Sequence, residues 1–452
     1  MAEIKMTPLG GLYEFGNQSY LYKVNNSAIV IDTGAFFDDE QPQMQIMPDY
    51  SQLDKIAKDL KAIIITHNHE DHFGGLTYVM DKYRHIPVYC TSFVASNIKR
   101  RLQVEGIVMN DLQSRVKIVK QGRPETIDKN FTIEFIGVNH STPQASMVYL
   151  TTPCGNVLHT GDWRYERNPL RDAMDWTRLA QIGKQGLTAL VADSTGIENL
   201  SSPQSETDVA KGLDDVIRRH IDNQTVMIFG AFSTHVERVA TICQLAKKYN
   251  RLPKLMGTGM LINQEVGLKH GMLPMRRIET DETMSSSHAF YIATGTQAEQ
   301  GSVLERLSKE VPLPKPACVV MSASVIPSRA GKIARMVAGL RANGYQVVQN
   351  DADNLTHVSG HAPRADVEEL IKLVKPEIFI PIHGEAHHLL AAEKVAQDLY
   401  VPQVVRLDHV GQSVSFSQSR YAALHEAFEP KQIVKKKSFS PQLLKQKNYQ
   451  YS

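Results

Sequence analysis

The sequence predicts an α/β protein in two interleaved parts: a sandwich of β-sheets covered by helices, interrupted by a doubly wound α/β unit. Three observations carry that reading. The chain has 452 residues, and single cores stop growing at roughly 250–300 residues, so more than one core is expected. From Leu9 onward short β-branched runs alternate with segments of helical spacing, the pattern of sheets packed between helices. Near Ser201 the texture changes to regular strand–helix alternation, and near residue 353 it changes back. These limits give parts at 1–200, 201–352 and 353–425, followed by a basic segment at 426–452.

Taken in order, YLYKV and AIVIDTG read as strands, the second delivering Asp32 and Gly34 to a turn. Residues 51–61 have helical spacing, and AIIIT from Ala62 to Thr66 is the continuous apolar run of a strand covered on both faces. PVYC, TIEFIGV, MVYLTT, NVLHTGD and ALVADST follow as strands, with Asp162 and Asp193 closing the last two. SSPQSETD then leads into an amphipathic helix, with Glu206 as a capping-box candidate. Beyond it VMIFGAF, KLMGTG, AFYIATG and ACVVMSAS are strands separated by helices such as VERVATICQLAKKY and KIARMVAGLRANG, a doubly wound pattern. The stretch NLTHVSGHAPRADVEELIKLVKPEIFIPIHGEAHH supplies loop, helix, strand and a second His-rich loop, and there the first part resumes.

Composition narrows the partners. Fifty Lys and Arg against 48 Asp and Glu leave a formal charge of +2, so a polyanion would be gripped by a local basic surface and not by a global field. Cys90, Cys154, Cys243 and Cys318 lie far apart with no CxxC pair, and MAEIKMTPLG has no signal-peptide run; a reducing cytoplasm is the default. No run approaches the roughly 20 apolar residues of a membrane span. Lys431, Lys435, Lys436, Lys437, Lys445 and Lys447 crowd the end of the chain. Such a run is either an arm for phosphates or, more commonly, a solvated tail.

The strongest chemical signal is His67-Asn68-His69-Glu70-Asp71-His72, directly after the apolar strand. In extended backbone alternate side chains share a face, so His67 and His69 can meet one cation. Asp71 and His72 come as the chain turns into a helix and can face a second. Imidazole and carboxylate suit Zn²⁺ first, with Mn²⁺ or Mg²⁺ where oxygen ligands dominate. Gly74 and Gly75 let backbone pass close by. A solvated loop that happens to hold three histidines is the bland alternative, and four potential ligands in six positions at a strand end argue against it. Further ligands are sought at the same place on other strands: His140 after TIEFIGVN, Asp162 after NVLHTG and His383 after IFIPI.

With these residues in hand, THNHEDHFGG resembles the signature of metallo-β-lactamase-fold hydrolases. VIDTG, VNHSTPQAS, NVLHTGDWRYE, VADSTGIEN, ATGTQAEQ, THVSGHA and FIPIHGE resemble, in this order and from about Leu9 to Gly411, segments of the ribonuclease J family. The resemblance implies a metallo-β-lactamase αββα sandwich split by a β-CASP domain, acting as a metal-dependent ribonuclease on single-stranded RNA. It implies that His67, His69 and His140 hold one metal, that Asp71, His72 and His383 hold a second, and that Asp162 bridges them. Asp32 and Asp193 would orient ligating histidines. Ser359 and His361 would contact the scissile phosphate, with His357 a weaker candidate, and Asp71, Ser359 and His361 stand as the catalytic set. Ser233, His235, Arg238, Gln297 and Glu299 would contact substrate, and Arg100, Arg101, Arg164, Arg329 and Arg364 are candidates for a lined channel, weighed against ordinary surface charges.

The chain departs from the family pattern in two ways, in the motifs of the insert and in length. Where the family reads like FASNxHR, it has Phe232-Ser233-Thr234-His235-Val236-Glu237-Arg238, and a carboxylate there repels phosphate unless Arg238 neutralises it. In ATGTQAEQ a bulkier Ala298 replaces a glycine. Ser452 also falls short of the small C-terminal domain that supports dimerisation in the family, leaving a homodimer open. Three other readings compete: a small-ester hydrolase of the same fold, which needs neither the insert nor HVSGHA; a DNA-cleaving or 3′-end-processing relative; and an RNA-binding scaffold with a decayed metal site.

Overall fold

The computed structural model describes residues 2–37, 44–107, 112–171, 173–201, 203–281, 283–310, 313, 316–418, 420–426 and 428–436. Two large sheets form the sandwich. One has eight strands in the spatial order Arg420–Glu426, Gln412–Ser417, Ile4–Gly10, Ser19–Val24, Ser27–Ile31, Leu60–Ile64, Val88–Cys90 and Val116–Ile118. The other has seven, Gln403–Val404, Pro376–Ile382, Leu187–Asp193, Gly155–His159, Ser146–Thr152, Thr132–Gly137 and Glu125–Thr126. Alternation of side chains explains why both are covered twice. Ile29 and Ile31 enter the core between the sheets while Ala28 and Val30 face the helices outside. Ala189 and Val191 likewise enter the central core, and Leu190 and Ala192 pack outward against the helices Trp176–Gln185 and Arg364–Val374.

The insert is a five-stranded parallel sheet in the order Leu252–Met256, Ala289–Ala293, Val226–Ala231, Ala317–Ser322 and Gln346–Val348. Met227 and Phe229 face one helical layer and Val226 and Ile228 the other, which makes the unit doubly wound with a core of its own. Its first helix, Glu206–His220, begins at Ser205.

Three local expectations are corrected. The helical spacing of 51–61 folds as a 3₁₀ helix over Tyr50–Ile56, capped by Asp49, whose side chain accepts from Ser51 N; Leu60 already starts the next strand. Glu206 is not the box residue: Ser205 is the N-cap, so the reciprocal partner three residues in is Asp208, and Glu206 turns inward. The segment after 426 is not all tail, since Gln432–Lys436 pairs antiparallel with Met44–Pro48. Lys437, Lys445 and Lys447 lie outside the described residues. Of the arginines considered for a channel, Arg101 is forked onto Glu70, Arg164 is buried against Glu166, Arg100 pairs with Glu265 and Arg364 with Glu368; each guanidinium meets a carboxylate of the same chain.

Candidate metal centre

The strands that end at the site are apolar and parallel in two sets. Ser27–Ile31 and Leu60–Ile64 deliver Asp32 and His67, and Gly155–His159, Leu187–Asp193 and Pro376–Ile382 deliver Asp162, Asp193 and His383. Open α/β sheets place ligands beyond the carboxyl ends of their strands. After the extended residues at His69 the chain closes into the four-residue helix Glu70–Phe73. That turn is pinned by Thr33 N donating to His72 O and Gln18 N to Asp71 O, both at 2.7 Å. Gly34 is required here, because a Cβ on it would lie 1.7 Å from Asp71 O. Asp32 and His383 both adopt left-handed backbone, φ 62° and 54°, and strain of this kind collects at functional sites.

Two groups of ligand atoms converge, His67, His69, His140 and Asp162 in one and Asp71, His72, Asp162 and His383 in the other, each group's atoms within 4.8 Å of one another. His140 Nε2 lies 2.9 Å from His69 Nδ1 and 3.5 Å from Asp162 Oδ2, while His67 Nε2 is 3.6 Å from the same oxygen. Across Asp162, His72 Nε2 faces Oδ1 at 3.0 Å and His383 Nε2 faces it at 3.5 Å and Asp71 Oδ2 at 3.3 Å. Asp162 therefore stands between the groups with one oxygen toward each.

The outer nitrogens decide what the inner ones present. Asp32 Oδ2 accepts from Thr66 Oγ1 at 2.8 Å and from His72 Nδ1 at 2.7 Å. With its proton given to Asp32, Thr66 Oγ1 accepts from His67 Nδ1 at 3.0 Å. His140 Nδ1 donates to Gly360 O at 2.7 Å, and Thr195 Oγ1 accepts from His383 Nδ1 at 2.6 Å. In each case the remaining nitrogen turns a lone pair into the cluster, where His67 Nε2 is buried with no hydrogen-bond partner. Lone pairs facing carboxylates across about 3–4 Å repel unless a cation or proton lies between them.

The titration behaviour agrees with that electrostatic picture. Burial pushes His67 and His140 well below the usual imidazole range and His69 down to about 4. His72 moves the other way: burial opposes its charge, but Asp162, Asp71 and Asp32 outweigh it. Asp71 falls to about 2 despite burial, held down first by His72 and His383. The donor set, five imidazoles and two carboxylates around buried atoms that lack partners, fits divalent cations.

The residues expected at the phosphate lie beside this cluster. His361 Nδ1 donates to Asp193 Oδ2 at 2.8 Å, and its Nε2 points toward Asp162 Oδ2 at 3.9 Å. Burial disfavours its charge, yet Asp193 and Asp162 raise it to about 9. Asp193 is thus placed on His361 and not on a member of the metal cluster. It lies 3.8 Å from His383, whose outer nitrogen is taken by Thr195. Ser359 Oγ accepts from His361 N at 3.1 Å; the helix Arg364–Val374 begins at Pro363 without a side-chain cap.

Of the substrate candidates in the insert, Ser233 is half-buried beside Asn263, and Glu299 is exposed. Gln297 braces its own loop, donating to Ser324 O at 2.7 Å and accepting from Ile326 N at 3.1 Å. Arg238, His235 and His357 are buried behind the surface, at 0%, 3% and 4% exposure. Arg238 is spent on Glu206, at 2.9 Å from Nε and 2.8 Å from Nη2, so it does not reach a solvent-side phosphate. Sequence reasoning did not find Thr66, Thr195 or the Gly360 carbonyl, because a hydroxyl next to a histidine and a backbone oxygen carry no pattern before the chain folds.

The sequence matches three family descriptions: the metallo-beta-lactamase superfamily over residues 12–194, the ribonuclease J beta-CASP domain over 224–340, and a Zn-dependent metallo-hydrolase RNA specificity domain over 346–405. It is 31% identical to a ribonuclease J of Sinorhizobium meliloti, covering 90% of this chain and 73% of that one. It is also 31% identical to the Helicobacter pylori protein of that name, where 89% of this chain spans 59% of the relative's length. The Thermus thermophilus protein of that name is 28% identical over 88% of this chain and 71% of its own. A crystal structure of a protein of unknown function from Enterococcus faecalis V583 shares the fold, with a TM-score of 0.61 at 15% identity over 92% of this chain and all of that one. Because the three matched regions follow one another in order and the likeness runs through nine-tenths of the polypeptide, the chain belongs to the ribonuclease J family.

Proposed function

We propose that this protein is a metal-dependent ribonuclease that hydrolyses phosphodiester bonds of single-stranded RNA in processing and decay, by 5′-to-3′ exonucleolytic cutting, endonucleolytic cutting or both. One observation carries the reading: four histidines have their outer nitrogens engaged as donors, so their inner lone pairs converge on Asp71 and Asp162. His67, His69 and His140 would hold one divalent cation, Asp71, His72 and His383 a second, with Asp162 shared. Zn²⁺ suits this nitrogen-rich set best, and Mn²⁺ or Mg²⁺ are the alternatives. When bound, such cations lower the pKa of water from about 16 towards 7 and offset the charge of a phosphoryl group.

The chain's own residues supply the rest. His361, kept protonated by Asp193, is placed to donate to the phosphate or to the departing 3′-oxygen. Ser359 accepts from His361 N and keeps its hydroxyl proton for an oxyanion. Nothing in this chemistry uses a 2′-hydroxyl, so preference for RNA over DNA would come from the surfaces along which the strand lies. The matched RNA specificity domain supports RNA as partner. A homodimer and a cytoplasmic setting are compatible with the reading, and among the described residues no helix is long and apolar enough to cross a membrane. The test is digestion of one labelled RNA carrying a 5′-triphosphate, monophosphate or hydroxyl, with single-stranded DNA and a generic ester beside it. Metal-dependent shortening of the RNA is expected. Turnover of the ester alone would replace the proposal with a small-substrate hydrolase.

A further inference from the structure

Next to the metal cluster lies a second buried polar assembly that the proposed chemistry does not use. Arg164, Glu166, Glu206 and Arg238 are 5%, 4%, 2% and 0% exposed. Glu166 accepts from Arg164 Nη2 at 2.5 Å and from Glu206 N at 2.9 Å. Glu206 takes the fork of Arg238, and Arg164 also reaches it at 3.4 Å. Two positive and two negative charges cancel, which is the condition under which burial of ions is tolerated.

What the assembly touches is more telling than its balance. Arg238 Nη1 donates to Thr356 O at 3.0 Å and to Ser322 Oγ at 2.6 Å, and Ser322 Oγ donates to the same Thr356 O at 2.7 Å. Thr356 begins the loop that runs to His361. Four residues on, Gly360 O accepts a hydrogen bond from His140 Nδ1, and a Cβ on Gly360 would stand 2.8 Å from the His140 ring. At the other end, Arg164 N donates to Asn139 O at 2.9 Å, next to His140 in the chain. A closed circuit results: Arg238 to Glu206, to Arg164 and Glu166, to Asn139 and His140, to Gly360, to Thr356 and back to Arg238. Arg238 and Glu206 come from the inserted unit, and His140 comes from the sandwich.

We propose that Arg238, with Glu206 holding its fork, is a positioning residue for His140: by fixing the 356–361 loop it sets the carbonyl that aims His140 Nε2, so the inserted unit controls metal retention at the His67–His69–His140 group. The proposal rests on the metal-centre reading above. Loss of a partner that orients a ligating histidine costs about 10–100-fold in metal affinity, and the fork of an arginine is not reproduced by lysine.

The experiment is chelator competition on the purified full chain, reading zinc stoichiometry and affinity, with cobalt absorption as a second readout of the ligand field. Wild type is expected to bind two ions per chain. Arg238→Met should weaken one of them by up to about 10-fold, the lower end of what loss of the direct partner costs, and alter the cobalt spectrum. Arg238→Lys, which keeps a charge against Glu206, guards against a failure to fold and should still weaken that ion. The double change Glu206→Met with Arg238→Met removes the charges as a pair and restores thermal stability, but it leaves Thr356 O without its guanidinium and metal retention impaired. A double variant that regains both stability and full zinc affinity overturns the proposal and makes the network purely structural. Wild type that binds no metal overturns the metal-centre reading itself, and with it this inference.

Discussion

Two buried polar clusters sit side by side in this molecule and are built on opposite rules. In the metal cluster the inner nitrogens of five histidines crowd around Asp71 and Asp162, and His67 Nε2, His72 Nε2 and Asp162 Oδ1 have no hydrogen-bond partner. In the neighbouring assembly each charge meets its opposite, Arg164 with Glu166 and Arg238 with Glu206. A buried group without a partner costs about 1–3 kcal/mol, more when charged. A site that keeps several such groups has the donor arrangement of a cation site, and a satisfied one is arranged to hold a shape. The comparison teaches that burial and charge alone do not mark a functional site. The sign of what faces what does.

The comparison breaks most sharply at Asp71 and His72. Asp71→Ala or His72→Ala is expected to abolish RNA cleavage with the fold intact by circular dichroism, and a chelator should do the same reversibly, restored by zinc or manganese. Full activity in Asp71→Ala would sink the two-metal reading. A smaller effect is expected one layer out. His361→Ala should lower turnover by about 10²–10⁴-fold, the range for a lost general acid, while zinc binding stays at two per chain. A loss of only a few-fold would remove His361 from proton donation and leave it a loop residue.

The satisfied cluster answers to pH instead. Despite burial, Glu206 is held far below the ordinary carboxylate range, first by Arg238 and then by His235. A carboxylate depressed in the folded state adds stability above its unfolded pKa of about 4.3, and that stability is lost as pH falls toward the folded value. Glu206→Gln should therefore destabilise the protein at pH 7, by up to about 3–5 kcal/mol if Arg238 is left with no counter-charge. The difference in melting temperature between wild type and variant should narrow below pH 4. A difference that stays constant from pH 7 to pH 3 would show that Glu206 contributes shape and not charge.

How much of each cluster could be read in advance follows from the same contrast. The His67–His72 run, His140, Asp162 and His383 were legible because each follows an apolar strand, and repetition of one local context is visible in a linear sequence. Asp193 was legible as a strand-end acid but not in its partner: whether it meets His383 or His361 depends on how the 356–361 loop lies across the sheet edge. Glu206 looked like a helix cap, because Ser-Glu-Thr-Asp offers two acids and only the position of the N-cap decides between them. Arg238 looked like a phosphate contact, since an arginine in a motif carries no mark of the buried glutamate 32 residues earlier that claims it. The insert was legible as a doubly wound sheet from strand runs alone, whereas the strand Gln432–Lys436 was hidden in a lysine-rich stretch whose partner, Met44–Pro48, lies near the other end of the chain.

The smallest expected effect lies outside both clusters and tests whether strain marks function everywhere in this fold. Asp32 and His383 hold left-handed backbone at the metal cluster, and Ala298 holds it in the insert with φ 54°. At Asp32 and His383 the side chain has a task that glycine cannot perform, so the strain is retained with a reason. Ala298 contributes only a methyl group, set among the apolar residues of one insert core, and left-handed backbone costs a non-glycine residue roughly 1–2 kcal/mol. Glycine removes that strain, but it also enlarges the conformational freedom of the unfolded chain, which takes back about 0.4–1 kcal/mol. Ala298→Gly should therefore stabilise the protein by no more than about 1.6 kcal/mol, read as a small rise in the denaturant midpoint, and leave zinc stoichiometry unchanged. A clear destabilisation would mean that the Ala298 methyl group is packed to a purpose, and that the Gln297 and Glu299 turn is shaped by it.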